Sequence, residues 1–573
     1  MKGVASMYIE TIKGKLNSKT NKFYKDTVLI RESFRDKMGK IQHRTLSNIS
    51  KLPQADIILF KNALSGKGEV SLEDIKTSCS KEYGGSFTFL ELARNIGLEK
   101  LIYSRSEQWR KDIMAMIVGR ILWQGSKLKL TNMYKDTSLW ELCGHESGIR
   151  PDVNKNCYDA LDSLLERQKM IQKKLAKKHL NNGCMILYDI TNIWLEGEYK
   201  KSDLAQYGLG KGGKHGFKQI AIGLITNRKG CPVAVEVFKG NKSDQSTVWG
   251  QAKTLAKTYG VKDVIFTGDR GMLTPKRIEE VNKLGFKTLT ALTHPKMKEI
   301  LEKKNLQPEL FDETTIVEII DTEPELGSKS NGNLNSDIDL KSEFTPQAIR
   351  YMLCKNSATM RKERVTRHSL IKVVIEKLNK IANVKCKRKK DPICARVGKV
   401  FEKYHIEKFF TWQVNDNGKL TFSLNEDVVK AEEELDGCFI VRTDVPQKEM
   451  NKDETVANYM GLKHVEKAFR NLKTVVLEMR PIYHKTAQRI KAHIFLCFLA
   501  YYLLWHARQR LIPLFTRKEE KQEKRWSIEI VIERLKSISS CQILVNGIKV
   551  KQTISKPDNE QSKIIKLLGG SLM

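Results

Sequence analysis

The 573-residue sequence predicts an α/β fold built on a mixed sheet, and three observations carry that prediction. Five short runs rich in Ile, Val, Leu and Phe, each bounded by Gly, Asn, Asp or Pro, fall between Met185 and Leu292. Segments of helical period separate the third run from the fourth and the fourth from the fifth. Hydrophobic residues make up 40% of the chain, enough for a packed core.

Taken in order, the first hundred residues read as a separate unit. Val28 to Ser50 forms a hairpin around Lys37-Met-Gly-Lys40, with helices at Ala55–Leu64 and Ser86–Ile96. The hairpin concentrates Arg31, Arg35, Lys40 and Arg44, either as a solvated charged surface or as contacts to DNA phosphates. Apolar residues at i, i+3 and i+4 make Gln108–Trp123 and Tyr158–His179 helical. The strands follow at Met185–Tyr188, Gln219–Thr226, Pro232–Phe238, Val264–Thr267 and Phe286–Leu292, with helices at Gln245–Lys257 and Pro275–Leu284. Three strands can form a meander before the helices intervene, so the sheet starts antiparallel.

Beyond Leu292 the regularity fades for about 145 residues. Glu318–Glu343 is acidic and rich in Ser, Asn and Gly, the composition of a mobile loop. Lys385–Lys390 is a compact basic run, and Phe409–Val414 with Lys419–Leu424 reads as a hairpin turned at Asn415–Gly418. A strand at Phe439–Arg442 and a long helix from about Glu454 to Val476 return to the earlier sheet, so the intervening stretch is an insertion.

Charge narrows the function. With 101 Lys and Arg against 67 Asp and Glu the formal net charge is +34, which favours a polyanionic partner: nucleic acid first, an anionic membrane face second. The first residues lack an apolar signal-peptide segment, so the chain is not expected to be secreted. The longest apolar run, Ile494–Trp505, is twelve residues, short of the roughly 20 that cross a bilayer. Eleven scattered cysteines without a Cys-x-x-Cys pair argue against a disulfide frame or zinc ribbon, and Cys143-Gly-His145 alone does not make a metal site.

The candidate chemistry lies on three carboxylates. Asp189 and Asp269 leave the first and fourth strands at their carboxyl ends, where ligands of open sheets bind, although an aspartate there is also a common cap. On the late helix, at 100° per residue, Leu462, Val465, Phe469 and Leu472 form a core face and Tyr459, Glu466, Arg470 and Lys473 a stripe along its edge. Glu466 and Arg470 are spaced as an ordinary surface pair, worth about 0.2–0.5 kcal/mol, or Glu466 is the third acid of a site. Three converging carboxylates in a basic protein suit two divalent cations and phosphodiester chemistry. The glycine-rich stretch Gly208–Gly216, with Lys211 and Lys214, lacks the ending of a phosphate-binding loop, so nucleotide hydrolysis is not expected and contact with DNA is.

These segments, LYDITNIWLEGE around Asp189, QIAIGLITNRKGCPVAVEVFKGNKSDQST, FTGDRGM around Asp269, and YMGLKHVEKAFRNLK with MRPIYHKTAQRIKAHIF, resemble the bacterial insertion-sequence DDE transposases of the insertion-sequence-four group. The resemblance runs from the basic hairpin to about residue 510. It implies an RNase H-like mixed sheet flanked by helices, interrupted by a mainly β insertion, with an N-terminal DNA-binding region. The 196 residues between Asp269 and Glu466 agree with that layout. The implied divisions are an N-terminal DNA-binding region at 1–105, a helical connector at 106–180, the core at 181–295 and 438–515, the insertion at 296–437 and a tail at 516–573.

Asp189, Asp269 and Glu466 would be the catalytic and metal-binding residues, with two Mg²⁺ ions that Mn²⁺ can replace. Tyr459, Arg470, Lys473, Lys211 and Lys214 would contact DNA phosphate, and Arg31, Arg35, Lys40 and Arg44 would serve end recognition. The group's signature helix is matched at Tyr459, Glu466 and Lys473, while its Arg position holds Leu462. An aromatic of the insertion can stack on a flipped base, which singles out Trp412; core packing is the competing role. The implied activity is cut-and-paste transposition by a homodimer acting on terminal inverted repeats and target DNA. It would take place in the bacterial cytoplasm at the nucleoid, with no membrane and no nucleotide cofactor. The alternatives are a nuclease without strand transfer and an inactive, transposase-derived DNA-binding protein.

Overall fold

The computed structural model describes residues 6–572, with the exception of 15, 18–21, 24–25, 37, 66–74, 78–79, 182, 209–215, 308–309, 314, 322–347, 384–389, 476, 516–525 and 546–547. The chain forms two compact units, one of residues 1–160 with 503–573 and the other of residues 161–502.

In the first unit, β1 (Ser6–Ile12), β2 (Thr27–Arg35) and β3 (Ile41–Asn48) form an antiparallel sheet with β2 at its centre. The expected hairpin is there, joined by a first strand that polar and charged residues had concealed. Gly39, at φ +78°, turns the hairpin, and Asp36 accepts the backbone N–H groups of Met38 and Lys40. Helices α1 (Gln54–Leu64), α2 (Gly84–Asn95) and α3 (Gln108–Trp123) follow. His145 and Gln108 both bond Asp112, so the Cys143-Gly-His145 stretch serves a hydrogen-bond network around a buried carboxylate.

The second unit is organised by a mixed sheet whose strands are β4 (Met185–Trp194), β5 (Lys218–Asn227), β6 (Pro232–Lys239), β7 (Ile265–Gly268), β8 (Lys287–Ala291), β9 (Val317–Asp321), β10 (Ile349–Lys355) and, after the insertion, β13 (Cys438–Thr443). The spatial order is β6-β5-β4-β7-β8-β13-β10-β9. The meander β4-β5-β6 is antiparallel, and β7 and β8 run parallel to β4. Helices α4 (Gln245–Lys253) and α5 (Pro275–Asn282) make the two crossovers that parallel strands require. Buried Tyr188 on β4 donates its hydroxyl to Thr247 of α4 at 2.9 Å, so α4 covers the face opposite that of Asp189.

The insertion differs from expectation. Beyond β9 and β10, which extend the large sheet, it is mainly helical: α6 (Ser357–Ala382), α7 (Lys390–Tyr404) and α8 (Glu426–Glu434) surround one hairpin, β11 (Phe410–Val414) and β12 (Leu420–Leu424). The physical reason is in α6 itself. Ile371, Val374, Leu378 and Ile381 recur at helical spacing and are buried against Ile393, Val397 and Phe401 of α7, and the Asn356 side chain caps the helix by accepting from Thr359 N–H. Of the expected acidic loop, residues 318–321 belong to β9 and 322–343 lie outside the described residues. Of the basic run, Lys390 opens α7 and the rest also lies outside them. Trp412 is partly buried on that same cluster, 6.0 Å from the Phe401 ring, a packing role.

The expected late helix is broken into α9 (Lys452–Met460), α10 (Lys463–Arg470) and a π-turn at Asn471–Val475. Helix α11 (Ala487–Arg510) is long and apolar enough to cross a membrane, yet its middle, Ile494–Leu504, is fully buried in the protein. The tail, which gave no expectation, forms α12 (Ile528–Lys536), β14 (Ser539–Val545), β15 (Ile548–Ile554) and α13 (Asn559–Leu568). Strand β14 pairs with Ile75–Thr77 and Lys81–Glu82, tying the tail to the N-terminal part of the first unit. All nine cysteines among the described residues are free.

Candidate active site

The register of β4 and β7 fixes the two aspartates. These strands are parallel, and Tyr188 pairs with Gly268. The residues that follow are Asp189, still within β4, and Asp269, the first residue past the end of β7, leaving strands about 4.8 Å apart. Asp189 is not at a strand end, as the sequence suggested, but in the middle of β4. The strand continues to Trp194 because β5 keeps pairing with it, Leu224 opposite Asp189. It is β7 that stops, at Gly268, which leaves Asp189 without a parallel neighbour and opens a notch. Each aspartate steadies its own backbone: Oδ1 of Asp189 accepts from Ile190 N–H at 2.7 Å, and Oδ1 of Asp269 from Arg270 N–H at 2.8 Å.

Helix α10 packs against β4 and β5 with Val465, Ala468 and Phe469 buried, which leaves Glu466 exposed. Burying Val465 and Phe469 stabilises this docking by about 1.5–3 kcal/mol per side chain. The turn between β5 and β6 supports the helix from below. Gly230, at φ +76°, would bring a Cβ within 3.1 Å of His464 Cβ, so only glycine fits both the conformation and the space.

One contact and one electrostatic coupling relate the remaining residues to the notch. The Lys473 ammonium donates to the Thr191 hydroxyl on β4, and Thr191 lies two residues beyond Asp189 on the same face. The π-turn holding Lys473 shifts it from ideal helical phase, and such turns often occur at functional sites. The Tyr459 phenol on α9 is pushed up to about 12 by burial, with Asp269 and then Glu466 adding to the shift and Arg270 opposing it. It is thus a neutral hydroxyl donor within electrostatic reach of both acids.

Lys473 reaches the Asp189 face of β4 through Thr191, the helix bearing Glu466 packs on β4 and β5, and Tyr459 lies within electrostatic reach of Asp269 and Glu466. Arg470 is exposed one turn beyond Glu466, and Leu462 is half-buried at the start of α10. Lys211 and Lys214 lie outside the described residues. Arg31, Arg35, Lys40 and Arg44 belong to the first unit. Sequence reasoning missed Thr191 and Arg270. Their signal was adjacency, since Thr191 shares the strand face of Asp189 and Arg270 follows Asp269 directly.

No curated protein matches the chain. Among solved structures it is similar to a piggyBac transposase in a synaptic complex with hairpin DNA, at 9% identity and a TM-score of 0.36, over 80% of this chain and 82% of that one. A family model described as a transposase DDE domain matches residues 183–503, more than half of the 573 residues. That match runs from the start of β4 through the glutamate helix into α11, and the chain belongs to the DDE transposase family.

Proposed function

We propose that this transposase binds the terminal inverted repeats of its own insertion sequence, cleaves phosphodiester bonds with divalent metal, and joins the freed 3′-hydroxyl to target DNA. The observation that supports the reading is the pairing of Tyr188 with Gly268, the residues directly before Asp189 and Asp269, on a sheet whose strand β4 is packed by α10. Three carboxylates are a hard oxygen donor set, which fits Mg²⁺, with Mn²⁺ as a substitute. Asp189, Asp269 and Glu466 would hold two such ions. When bound, paired divalent ions activate an attacking oxygen and stabilise the leaving one. Around them Lys473, aligned by Thr191, places a positive charge for a phosphate oxygen, and the neutral Tyr459 hydroxyl donates to another. Arg470 supplies a second cation where Leu462 replaces the group's arginine. The proposal extends to membership of the insertion-sequence-four group, to a homodimer in the synaptic complex and to action at the bacterial nucleoid. Neither a nucleotide cofactor nor a membrane is part of it.

The test is cleavage and joining of a duplex carrying the element end. Asp189→Asn, Asp269→Asn and Glu466→Gln should each lower cleavage by about 10³-fold or more, the several kcal/mol a metal site contributes, and leave end binding within about threefold. Cleavage without joining would identify a nuclease. Absence of metal-dependent cleavage by the wild-type protein would identify an inactive DNA-binding derivative.

A further inference from the structure

The chain's positive charge is unevenly spread. Residues 357–404, comprising α6, α7 and their connection, hold 15 Lys and Arg against 4 Asp and Glu, a net +11 of the chain's +34. One class of these cations is already used. Arg367 forms a bidentate pair with Asp436, Arg364 approaches the same carboxylate, and Lys390 meets Asp416.

Four of the five remaining cations of α6 fall on one side of that helix; the fifth, Lys377, lies over the Tyr404 ring. Placed at 100° per residue, buried Ile371, Val374, Leu378 and Ile381 define one face of the helix. On the opposite side Arg361 and Lys372 form one row, and Lys362 and Lys380 a second row about 80–100° around the helix. All four are exposed. From Arg361 to Lys380 the helix rises about 28 Å, most of one turn of B-form DNA at about 34 Å. Between the rows lie Val365, Ser369 and Glu376, none of which reads base edges as Arg, Asn or Gln does, and Asn379 on the first row is the one exposed amide on this side.

We infer that α6 is a sequence-independent track for double-stranded DNA, its two rows of cations meeting phosphates on either side of a groove. The inference rests on the chain's handling of DNA as proposed above. A membrane surface fits less well, because the apolar side of α6 is already covered by the insertion's own core. Single-stranded DNA would favour exposed aromatic platforms, and this face of α6 has none. Contacts made only to phosphate position a duplex without specifying its sequence, which suits target or flanking DNA better than element ends.

The experiment is equilibrium binding of a random-sequence 20-base-pair duplex to the full-length protein in EDTA, at several salt concentrations. It compares wild type with the variant R361E/K362E/K372E/K380E, whose unchanged melting profile shows that it folds; R361Q/K362Q/K372Q/K380Q stands in if the reversed charges impair folding. The variant should lose at least tenfold in affinity, and the salt slope should fall by about 3–4, close to one per phosphate contact. A loss below tenfold with an unchanged slope overturns the inference, as does an equal loss toward a single strand of the same length. A loss confined to phosphatidylserine vesicles, with duplex binding kept, overturns it in favour of a membrane face. Metal-dependent cleavage is read separately: a wild type that cuts while the variant binds duplex normally removes the track and leaves the transposase reading. A wild type that never cuts while the variant loses duplex binding does the reverse.

Discussion

The N-terminal hairpin and the insertion helix α6 are both basic in sequence, and the structure treats their cations in opposite ways. In the hairpin two of the arginines are paired locally with carboxylates and a third is held by a backbone carbonyl. Arg31 Nη1 donates to Glu10 Oε2 across β1 and β2 at 2.5 Å, Arg44 Nε to Glu32 Oε2 across β2 and β3 at 2.6 Å, and Arg35 to the Gly39 carbonyl at 2.9 Å. In α6 the exposed rows stand on a helix whose carboxylates are few. A sheet puts oppositely charged residues of neighbouring strands within about 5 Å, so pairing there comes readily, whereas a helix offers only its own i+3 and i+4 neighbours. Runs of Lys and Arg of similar density therefore differ in the charge they leave for a polyanion.

Lys473 is a third case, and it yields the largest effect. Its ammonium donates to the neutral Thr191 hydroxyl, which fixes its position beside Asp189 without itself neutralising a charge. Lys473→Met should lower strand joining roughly 10–150-fold, the equivalent of a charged hydrogen bond of about 1.5–3 kcal/mol. Thr191→Val, which leaves the charge but frees the side chain, should cost only a few-fold. If the two variants cost the same, alignment rather than charge is the contribution of Lys473. If neither changes joining, the cation is structural.

The contrast also marks what was legible in the sequence. The large sheet could be read because its strands are apolar runs cut by Gly, Pro and Asn, and because β4 and β7 carry their acids one residue beyond a paired position. The extent of β4 could not, since polar Asp189, Thr191 and Asn192 look like a strand's end when its pairing with β5 is unknown. The insertion was misread as mainly β for two reasons. The apolar positions of α6 are separated by long charged side chains that weaken the helical signal, and the family resemblance pointed to strands. Strand β1 escaped because Ser6, Glu10 and Thr11 break its apolar pattern, and the tail because its partners are far away in sequence: β14 pairs with residues more than 450 positions earlier.

Burial can also remove a charge altogether, as at His179, at the end of helix Gln168–His179. Desolvation, with a smaller push from Lys178, lowers its pKa from 6.5 to about 4, and its ring bonds the Tyr502 hydroxyl at 2.9 Å. The folded state thus holds the neutral ring more strongly than the unfolded chain does. Its contribution is fully present above about pH 6.5 and is lost as the pH falls toward 4. Because the group is partly exposed, the loss should be about 1–2 kcal/mol, read as a falling urea midpoint. His179→Gln should flatten that part of the pH dependence. An unchanged slope would show that another group titrates there.

The smallest effect tests the hairpin side of the comparison directly. If Arg44 is spent on Glu32, a double-mutant cycle with Arg44→Ala and Glu32→Ala should give a coupling of about 0.2–1 kcal/mol in stability, typical of an exposed pair. Arg44 also lies 5.6 Å over the Phe34 ring, so part of the single-mutant cost is packing that the cycle removes from the coupling. Binding of a random duplex by Arg44→Ala should then change by less than about threefold, since the lost cation was already neutralised. Zero coupling together with a tenfold loss of binding would mean that the arginine leaves Glu32 for DNA, and the hairpin would rejoin α6 as a surface whose charge is available.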